Sequence, residues 1–479
     1  MAKVKEFLEL CGYTDEEEIK KTIPRLEESM RRAKMPPEDV EHAIDSMRRV
    51  YRSDLELESV RKMLGVWLKK WMSLMLARDE YKKVVYHFHL GEPRAMLALN
   101  LVSDDIFCDY ADMLPFIASG YIFNNLNRYL EMGEKHGLPP ARAHCGASLL
   151  GLAVQAEGLL PPPDLIVGSD HQCDQQHKVA EMVSELWNVP LVKLDTVADE
   201  PWGLFPEVSD RAVKYFGTTM EAELTRKTEE ILGIEISDEV IQKSRHIYAR
   251  IWRLLDEIHR VILEADPRPV NFASAFPFEW AALEPDRIII SEGIAAMELH
   301  LEELKERVAK GYGVLPKGAP KVALKCELGG DMANKPLAED VGLNVVVPLN
   351  ATWLADFEKH PVVDYARFKG APPMEKVAAA YLRKGYIRGG DHHVWRMKEI
   401  VRETNVDGLV FSPVYQCRAF AGLPVMVKQT VEKDLGVPTM YLETGAFDGR
   451  DHNYDTMKTR LETFAELLKA RKAMAEETK

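Results

Sequence analysis

The chain has 479 residues, 46% of them hydrophobic and 29% charged, which is enough for roughly two to four ordinary domains. Its net charge is −14, and no dense lysine and arginine stripe lies among aromatic residues, which argues against nucleic acid and anionic membranes as partners. Six scattered cysteines argue against a disulfide framework, and the first residues lack the apolar core of a secretory signal. Because no stretch approaches about 18 uninterrupted apolar residues, we predict a cytoplasmic protein without a membrane span.

In the first half of the chain, the pattern of charged and apolar residues changes near residue 80. Residues 1–80 alternate charged and apolar side chains at helical spacing, which predicts a helical N-terminal region. Residues 81–215 contain short β-rich runs, such as 84–89 and 165–167, separated by helical stretches such as 176–187. This alternation predicts a first α/β domain.

The second half of the chain likewise has a helical stretch followed by β-rich runs. Residues 216–310 lack β-rich runs and keep apolar residues three and four apart, as in 251–263, which predicts a helical connector. Residues 311–479 return to β-rich runs, such as 408–411, and end in an amphipathic helix near 454–474. The predicted fold is therefore α/β, with two Rossmann- or flavodoxin-like parallel-sheet domains, a helical N-terminal region and a helical connector.

Two stretches of the chain are built alike. Residues 164–173 and 407–417 both run from an aspartate through an apolar strand to a Gln-Cys pair, ending in Cys173 and Cys417. Each reads as one strand–loop–helix–strand unit, which suggests two related domains. Because ligands of open α/β sheets bind beyond the carboxyl ends of the strands, we expect both thiols to lie at a ligand site.

A third cysteine, Cys145, lies where an apolar helix is predicted to begin after a proline-rich approach. The exposed N–H groups at a helix start favour thiolate, which is the form that binds metal, and we expect this for all three thiols. Thiolates suit zinc or iron–sulfur clusters, and the spacing does not select between them. A closed zinc site would need a fourth ligand, such as His144 or His171, whereas three thiolates leave one metal position open for a substrate.

The stretches around these cysteines resemble a known family. The stretches 161–195 and 406–443 resemble the iron–sulfur subunits of 2-hydroxyacyl-CoA dehydratases and benzoyl-CoA reductases, and the closing stretch 447–462 fits as well. The resemblance covers about residues 84 to 470. It implies that Cys145, Cys173 and Cys417 bind one [4Fe–4S] cluster between the two α/β domains, with one iron free of protein thiolate.

The resemblance also implies partners and a reaction. It implies an acyl-CoA substrate, a homologous second iron–sulfur subunit, and a separate ATP-hydrolysing [4Fe–4S] activator that delivers one electron at very low potential. The electron would make a ketyl radical that expels a hydroxyl in a dehydratase, or enter an aromatic ring in a reductase. Two alternatives stay open: an iron–sulfur electron-transfer or maturation protein without its own substrate, and a zinc-stapled structural protein.

Several other residues are weaker candidates. Ser169 and His171 lie in the loop that presents Cys173, and we expect them to act in catalysis, with His171 donating to a cluster sulfur or to the substrate carbonyl. Many family members have a further cysteine early in the first α/β domain, where residues 87–96 of this chain have none. The remaining candidates are Gln172 and Gln416 as hydrogen-bond donors to sulfur, Glu92 as a substrate contact, Asp391, His392 and His393 as metal ligands, and Cys11, Cys108 and Cys326 as ordinary packed thiols.

Overall fold

The computed structural model describes most of the chain. The described residues are 2–88, 92–137, 144–169, 175–195, 209–283, 286–326, 336–347, 368–382, 390–414, 416–417, 422–445, 448–450 and 452–477. Within these stretches, no helix is both long enough and apolar enough to span a bilayer.

The N-terminal region is helical, as its apolar spacing predicts. Its helices are α1 (Ala2–Leu10), α2 (Glu16–Arg32), α3 (Glu38–Asp45), α4 (Glu58–Met75) and α5 (Ala77–Glu80), with a π-helical turn at Ser46–Val50. Asp15 caps α2 by accepting the amide proton of Glu18 at 2.7 Å, which satisfies one of the open N–H groups of the first turn. Helix α4 is buried on almost all sides, with Trp67 and Trp71 among the largest side chains of the core.

The first sheet has four parallel strands: β1 (Lys83–Phe88), β2 (Ile106–Tyr110), β3 (Leu165–Ser169) and β4 (Leu191–Leu194). Their order across the sheet is β2-β1-β3-β4, and Val85 of β1 pairs with Cys108 on one side and Leu165 on the other. Strands β2 and β3 are buried along their whole length, as expected for a parallel sheet covered on both faces by helices.

The helices of the first sheet are α6 (Pro93–Val102), α7 (Met113–Ile117), α8 (Leu126–Lys135), α9 (Gly146–Ala156) and α10 (Gln176–Trp187). Helix α10 leads from β3 to β4 and ends at Asn188, whose left-handed φ of 53° stops the helix. Helices α8 and α9 make a backbone contact, because a Cβ atom on Gly133 would lie 2.2 Å from the carbonyl oxygen of Leu149.

A helical connector joins the two sheets. It comprises α11 (Asp210–Met220), α12 (Thr228–Leu232), α13 (Asp238–Glu264), α14 (Phe272–Ala281) and α15 (Ile294–Ala309), with π-helical turns at Glu221–Lys227 and Ile289–Gly293. The described part of the connector contains no strand, as the sequence predicts. Arg268, which follows α13, is buried and binds Glu339 and the carbonyl of Val345, so the connector is fixed to the second half of the chain.

The second sheet has four parallel strands: β5 (Lys321–Cys326), β6 (Asn344–Val347), β7 (Gly408–Ser412) and β8 (Thr439–Tyr441). Its helices are α16 (Leu337–Asp340), α17 (Pro373–Leu382), α18 (Gly390–Thr404), α19 (Leu423–Leu435) and α20 (Tyr454–Glu477). Gly408 packs directly against α20, because a Cβ atom there would lie 2.9 Å from side-chain atoms of Phe464 and Leu468.

The two sheets have the same topology. The second sheet runs in the order β6-β5-β7-β8, so both sheets place their strands in the order second, first, third, fourth along the chain. This confirms the predicted α/β class with two parallel sheets and helical regions. In both sheets the second strand lies on one side of the first strand and the third strand on the other. The point between the first and third strands, where the strand order reverses, is the switch point at which α/β proteins bind ligands. The domain boundaries near residues 80, 215 and 310 stay predictions.

Candidate functional site

The candidate site lies at the carboxyl edges of the two sheets. Strand β3 ends at Ser169, and Cys173 and His171 follow in a segment outside the described residues. Strand β7 ends at Ser412, and its loop leads to Cys417. The predicted equivalence of the two cysteine-bearing loops therefore agrees with the topology, since each follows the third strand of its sheet.

Cys145 is the N-cap residue of α9, as the sequence predicts. Its carbonyl accepts the amide protons of Ser148 at 3.0 Å and Leu149 at 3.3 Å, while its Sγ lies 3.5 Å from the Ser148 hydroxyl oxygen. Gln175, the N-cap of α10, accepts from the Cys145 amide at 3.4 Å and from the Ser148 hydroxyl at 3.3 Å. The start of α9 is therefore hydrogen-bonded to Gln175, which is two residues after Cys173 in the chain.

The prediction that the helix start favours the thiolate of Cys145 is wrong for the free thiol. Burial raises the pKa of Cys145, and Asp112, which is fully buried, contributes to the increase. The Ser148 hydroxyl and the amides of Ser148 and Ala147 oppose it by hydrogen bonding to the sulfur. Loss of water around the thiol therefore outweighs the favourable N–H groups of the helix start.

Cys417 lies in a loop that is fixed at its base. Val414 pairs with Thr444 across a single bridge, and the Cys417 amide donates to the Val414 carbonyl at 3.0 Å. Ser412 donates to the Leu442 carbonyl at 2.8 Å, and its oxygen lies 3.1 Å from the Thr444 hydroxyl. Cys417 is half-buried and forms no disulfide with another described cysteine. Helix α19 begins six residues after Cys417, so this thiol is not the N-cap of a helix as Cys145 is.

Ser169 takes part in a buried polar group at the β1/β3 switch point. Tyr381 of α17 hydrogen-bonds Ser169, and burial raises the pKa of Tyr381 well above its usual range. Nearby, Arg94 donates to Glu92 at 2.8 Å and lies 5.1 Å from the centre of the Tyr248 ring. The sequence singled out Ser169 and Glu92 as candidates. It gave no signal for Arg94, two residues after Glu92, or for Tyr248 and Tyr381, which come from the distant helices α13 and α17.

The remaining candidates are scattered. His392 and His393 are buried at the start of α18, and the amide of His392 donates to Asp391 at 2.9 Å. Among the described residues no three histidine, cysteine, aspartate or glutamate side chains gather as a metal site, and Cys173 is not among those residues. Gln416 is buried, His144 is half-buried, and Cys11 and Cys108 are buried free thiols, whereas Gln172 and the side chain of Cys326 lie outside the described part.

Burial of His87 is expected to make the protein less stable in acid. His87 is buried on β1, neither ring nitrogen has a hydrogen-bond partner in the described structure, and burial lowers its pKa to about 3. The unfolded chain, with a histidine pKa of about 6.5, binds the proton more readily, so stability falls as the pH drops below about 6.5. We expect His87→Phe to remove an acid-induced loss of about 3 kcal/mol between pH 6.5 and pH 4. Urea unfolding of both proteins at the two pH values measures this, and an equal loss in the variant would contradict it.

Two parallel sheets of the same topology, each with a cysteine in the segment that follows its third strand, define a class of twin α/β proteins. Residues 106–468 match the family described as 2-hydroxyglutaryl-CoA dehydratase, D-component. The match covers most of the chain, and the chain belongs to this family. The earlier resemblance is thereby confirmed at the level of the family.

Curated relatives agree with this assignment. The (R)-2-hydroxyglutaryl-CoA dehydratase subunit alpha of Acidaminococcus fermentans is 22% identical over 318 residues, which cover 65% of this chain and 61% of that protein. The (R)-phenyllactyl-CoA dehydratase alpha subunit of Clostridium sporogenes is 21% identical over 339 residues, which cover 68% of this chain and 77% of that protein. The match to the first relative thus spans less than two thirds of its length.

Proposed function

We propose that this chain is the iron–sulfur subunit of an enzyme that dehydrates a 2-hydroxyacyl-CoA thioester. The observation that carries the proposal is the equivalent position of the loops after β3 and β7, each with a cysteine, in a chain of this family. Two relatives named as dehydratase subunits favour dehydration over the reduction of an aromatic ring.

Cys145, Cys173 and Cys417 would hold a [4Fe–4S] cluster. The described thiols fit this role, because neither Cys145 nor Cys417 is joined in a disulfide with another described cysteine, and the amides of Ser148 and Ala147 already hydrogen-bond the Cys145 sulfur. Such N–H···S bonds orient and tune thiolate ligands of clusters. When bound, the cluster would supply one low-potential electron and an open iron that accepts a substrate oxygen.

Asp112 would keep the potential of this site low. Its carboxyl group is fully buried and close enough to Cys145 to raise the pKa of that thiol. The negative charge of Asp112, which disfavours the Cys145 thiolate, would also disfavour the addition of an electron to the cluster. In both cases like charges would lie together in a poorly screened interior.

Ser169 and His171 are the proposed catalytic side chains. Ser169 is held by Tyr381, and its place at the end of β3 puts it at the switch point of the first sheet. We propose that His171, two residues further along the chain, donates a hydrogen bond to the thioester carbonyl. A neutral or protonated imidazole suits this task near physiological pH.

The partners follow from the same proposal. We infer a homologous second iron–sulfur subunit, since both relatives are named as alpha subunits. A separate ATP-hydrolysing [4Fe–4S] activator would deliver the electron, and acyl-CoA would be the substrate. A chain with six scattered cysteines suits the reducing cytoplasm.

The test is a metal analysis of protein purified without oxygen. We expect about four irons and four acid-labile sulfides per chain, with a reduced-state electron paramagnetic resonance signal, in the wild type. Cys145→Ala, Cys173→Ala and Cys417→Ala should each lose most of the iron. Cys11→Ala and Cys108→Ala are matched controls, because both thiols are free and buried away from the predicted ligand set, and they should keep it.

The outcomes separate the alternatives. Zinc in place of iron would support a stapled structural protein and overturn the proposal. Iron with a resonance signal that responds to a 2-hydroxyacyl-CoA, and not to CoA alone, would support the enzyme. An unresponsive cluster would support an electron-transfer or maturation protein instead.

A further inference from the structure

A cluster of three charged side chains joins the two halves of the chain; it consists of Arg450, Asp448 and Glu134, and we call it the Arg450 clasp. Arg450 donates to Glu134 at 2.7 and 3.2 Å through its two terminal nitrogens. It donates to Asp448 at 2.9 Å through Nε and at 2.8 Å through Nη2. One guanidinium therefore engages two carboxylates in forked pairs, which is the strongest geometry for such contacts.

The Glu134 end of the clasp leads to Cys145. Glu134 lies on α8 beside Gly133, whose Cα faces the carbonyl of Leu149 so closely that a Cβ atom would lie 2.2 Å from that oxygen. The amide of Leu149 in turn donates to the Cys145 carbonyl at 3.3 Å. A displacement of Glu134 would therefore move the first turn of α9 and the thiol that caps it.

The other end leads to Cys417. Asp448 is fully buried and accepts the backbone amide of Arg450 at 3.1 Å, so the turn that presents the guanidinium is fixed. This turn follows Thr444, which pairs with Val414 at the base of the second cysteine loop. The Cys417 amide donates to the carbonyl of that same Val414 at 3.0 Å.

We propose that Arg450 is a positioning residue that sets the separation between Cys145 and Cys417. The inference rests on the proposed function, since the separation matters most when both thiols hold one cluster. Arginine suits the task because its planar fork fixes the direction of both carboxylates, whereas a lysine ammonium holds them only as a point charge. The Arg450 side chain is 23% exposed and Asp448 only 1%, so water screens the pair only in part.

The test compares Arg450→Gln and Arg450→Lys with the wild type, using Arg52→Gln as a matched control. The control removes another long-range arginine–carboxylate pair, Arg52 with Asp340 at 2.6 Å. That pair lies just before β6, at the amino edge of the second sheet and away from the cysteine loops. Two readouts are used: hydrogen–deuterium exchange of residues 146–149 and 413–417 in iron-free protein, and the rate at which a chelator removes iron from the loaded protein.

We expect Arg450→Gln to speed exchange in both segments and iron release by roughly tenfold, as for the loss of a forked charge-assisted pair. Arg450→Lys should recover only part of each effect, and Arg52→Gln should change neither. Equal effects of Arg450→Gln and Arg52→Gln, or faster exchange in one segment alone, would overturn the inference. If the wild type binds no iron, the proposed function fails, and the exchange in iron-free protein still decides whether Arg450 holds the two segments.

Discussion

Replacing Lys70 by methionine is expected to lower the free energy of unfolding by about 4 kcal/mol, the usual cost of leaving a buried charge without its partner. Lys70 is completely buried on α4, with its Nζ 2.9 Å from Asp109 of β2 and 3.1 Å from Asp286. Methionine fills a similar volume but carries no charge. The two carboxyl groups would then face each other without a cation.

The pH dependence distinguishes this cause from poor packing. Burial raises the pKa of Asp109 to about 6, Lys70 opposes the increase, and Asp286 adds to it. Because the unfolded carboxyl has a pKa of about 3.9, the folded state binds this proton more tightly, and its contribution to stability is lost as the pH rises from about 4 through 6. Without Lys70 the pKa of Asp109 rises further. The deficit of Lys70→Met should therefore be larger at pH 8 than at pH 5.

Guanidinium unfolding of the single variant and of the double variant Lys70→Met/Asp109→Asn at both pH values measures the effect. The double variant should regain part of the lost stability at pH 8, because one of the two unpaired charges is gone. A loss that is independent of pH and unchanged in the double variant would assign it to packing.

The pair of Lys70 and Asp109 explains which strand sequence reasoning missed in the fold. The runs that became β1, β3, β5 and β7 are apolar and β-branched, so their composition alone indicates strands. Strand β2 contains Asp109 within Ile106–Tyr110, which interrupts the apolar run. Its burial depends on Lys70, which lies 39 residues earlier on a helix, and no local pattern reports such a partner.

The candidate site divides in the same way. Cys145 and the two loop cysteines could be chosen as candidates from the sequence, because helix starts and strand ends can be predicted from neighbouring residues. Asp112, Gln175 and Tyr381 could not be found this way, since they reach the site through contacts between separate elements. The predicted direction of the Cys145 pKa shift was wrong for the same reason, because burial depends on the complete fold and not on neighbouring residues.

Gly133→Ala is expected to lower the free energy of unfolding strongly, although helix propensity alone predicts an increase. Alanine in a helix is favoured over glycine by up to about 1 kcal/mol, so propensity alone predicts stabilisation. The new methyl group would instead lie 2.2 Å from the Leu149 carbonyl oxygen, a backbone atom that cannot rotate away. We expect a net loss of about 3 kcal/mol, the scale of overpacking in a close contact.

Gly120→Ala is the matched control, because its methyl group would meet a ring carbon of Phe116 at 3.4 Å, an ordinary contact. Thermal unfolding of iron-free protein should rank Gly133→Ala far below both the control and the wild type. Equal stability of the two variants would mean that α8 and α9 do not touch at their backbones. Because the first turn of α9 carries Cys145, separation of the two helices would also displace that thiol, and the iron content of Gly133→Ala should fall even under conditions where the chain stays folded.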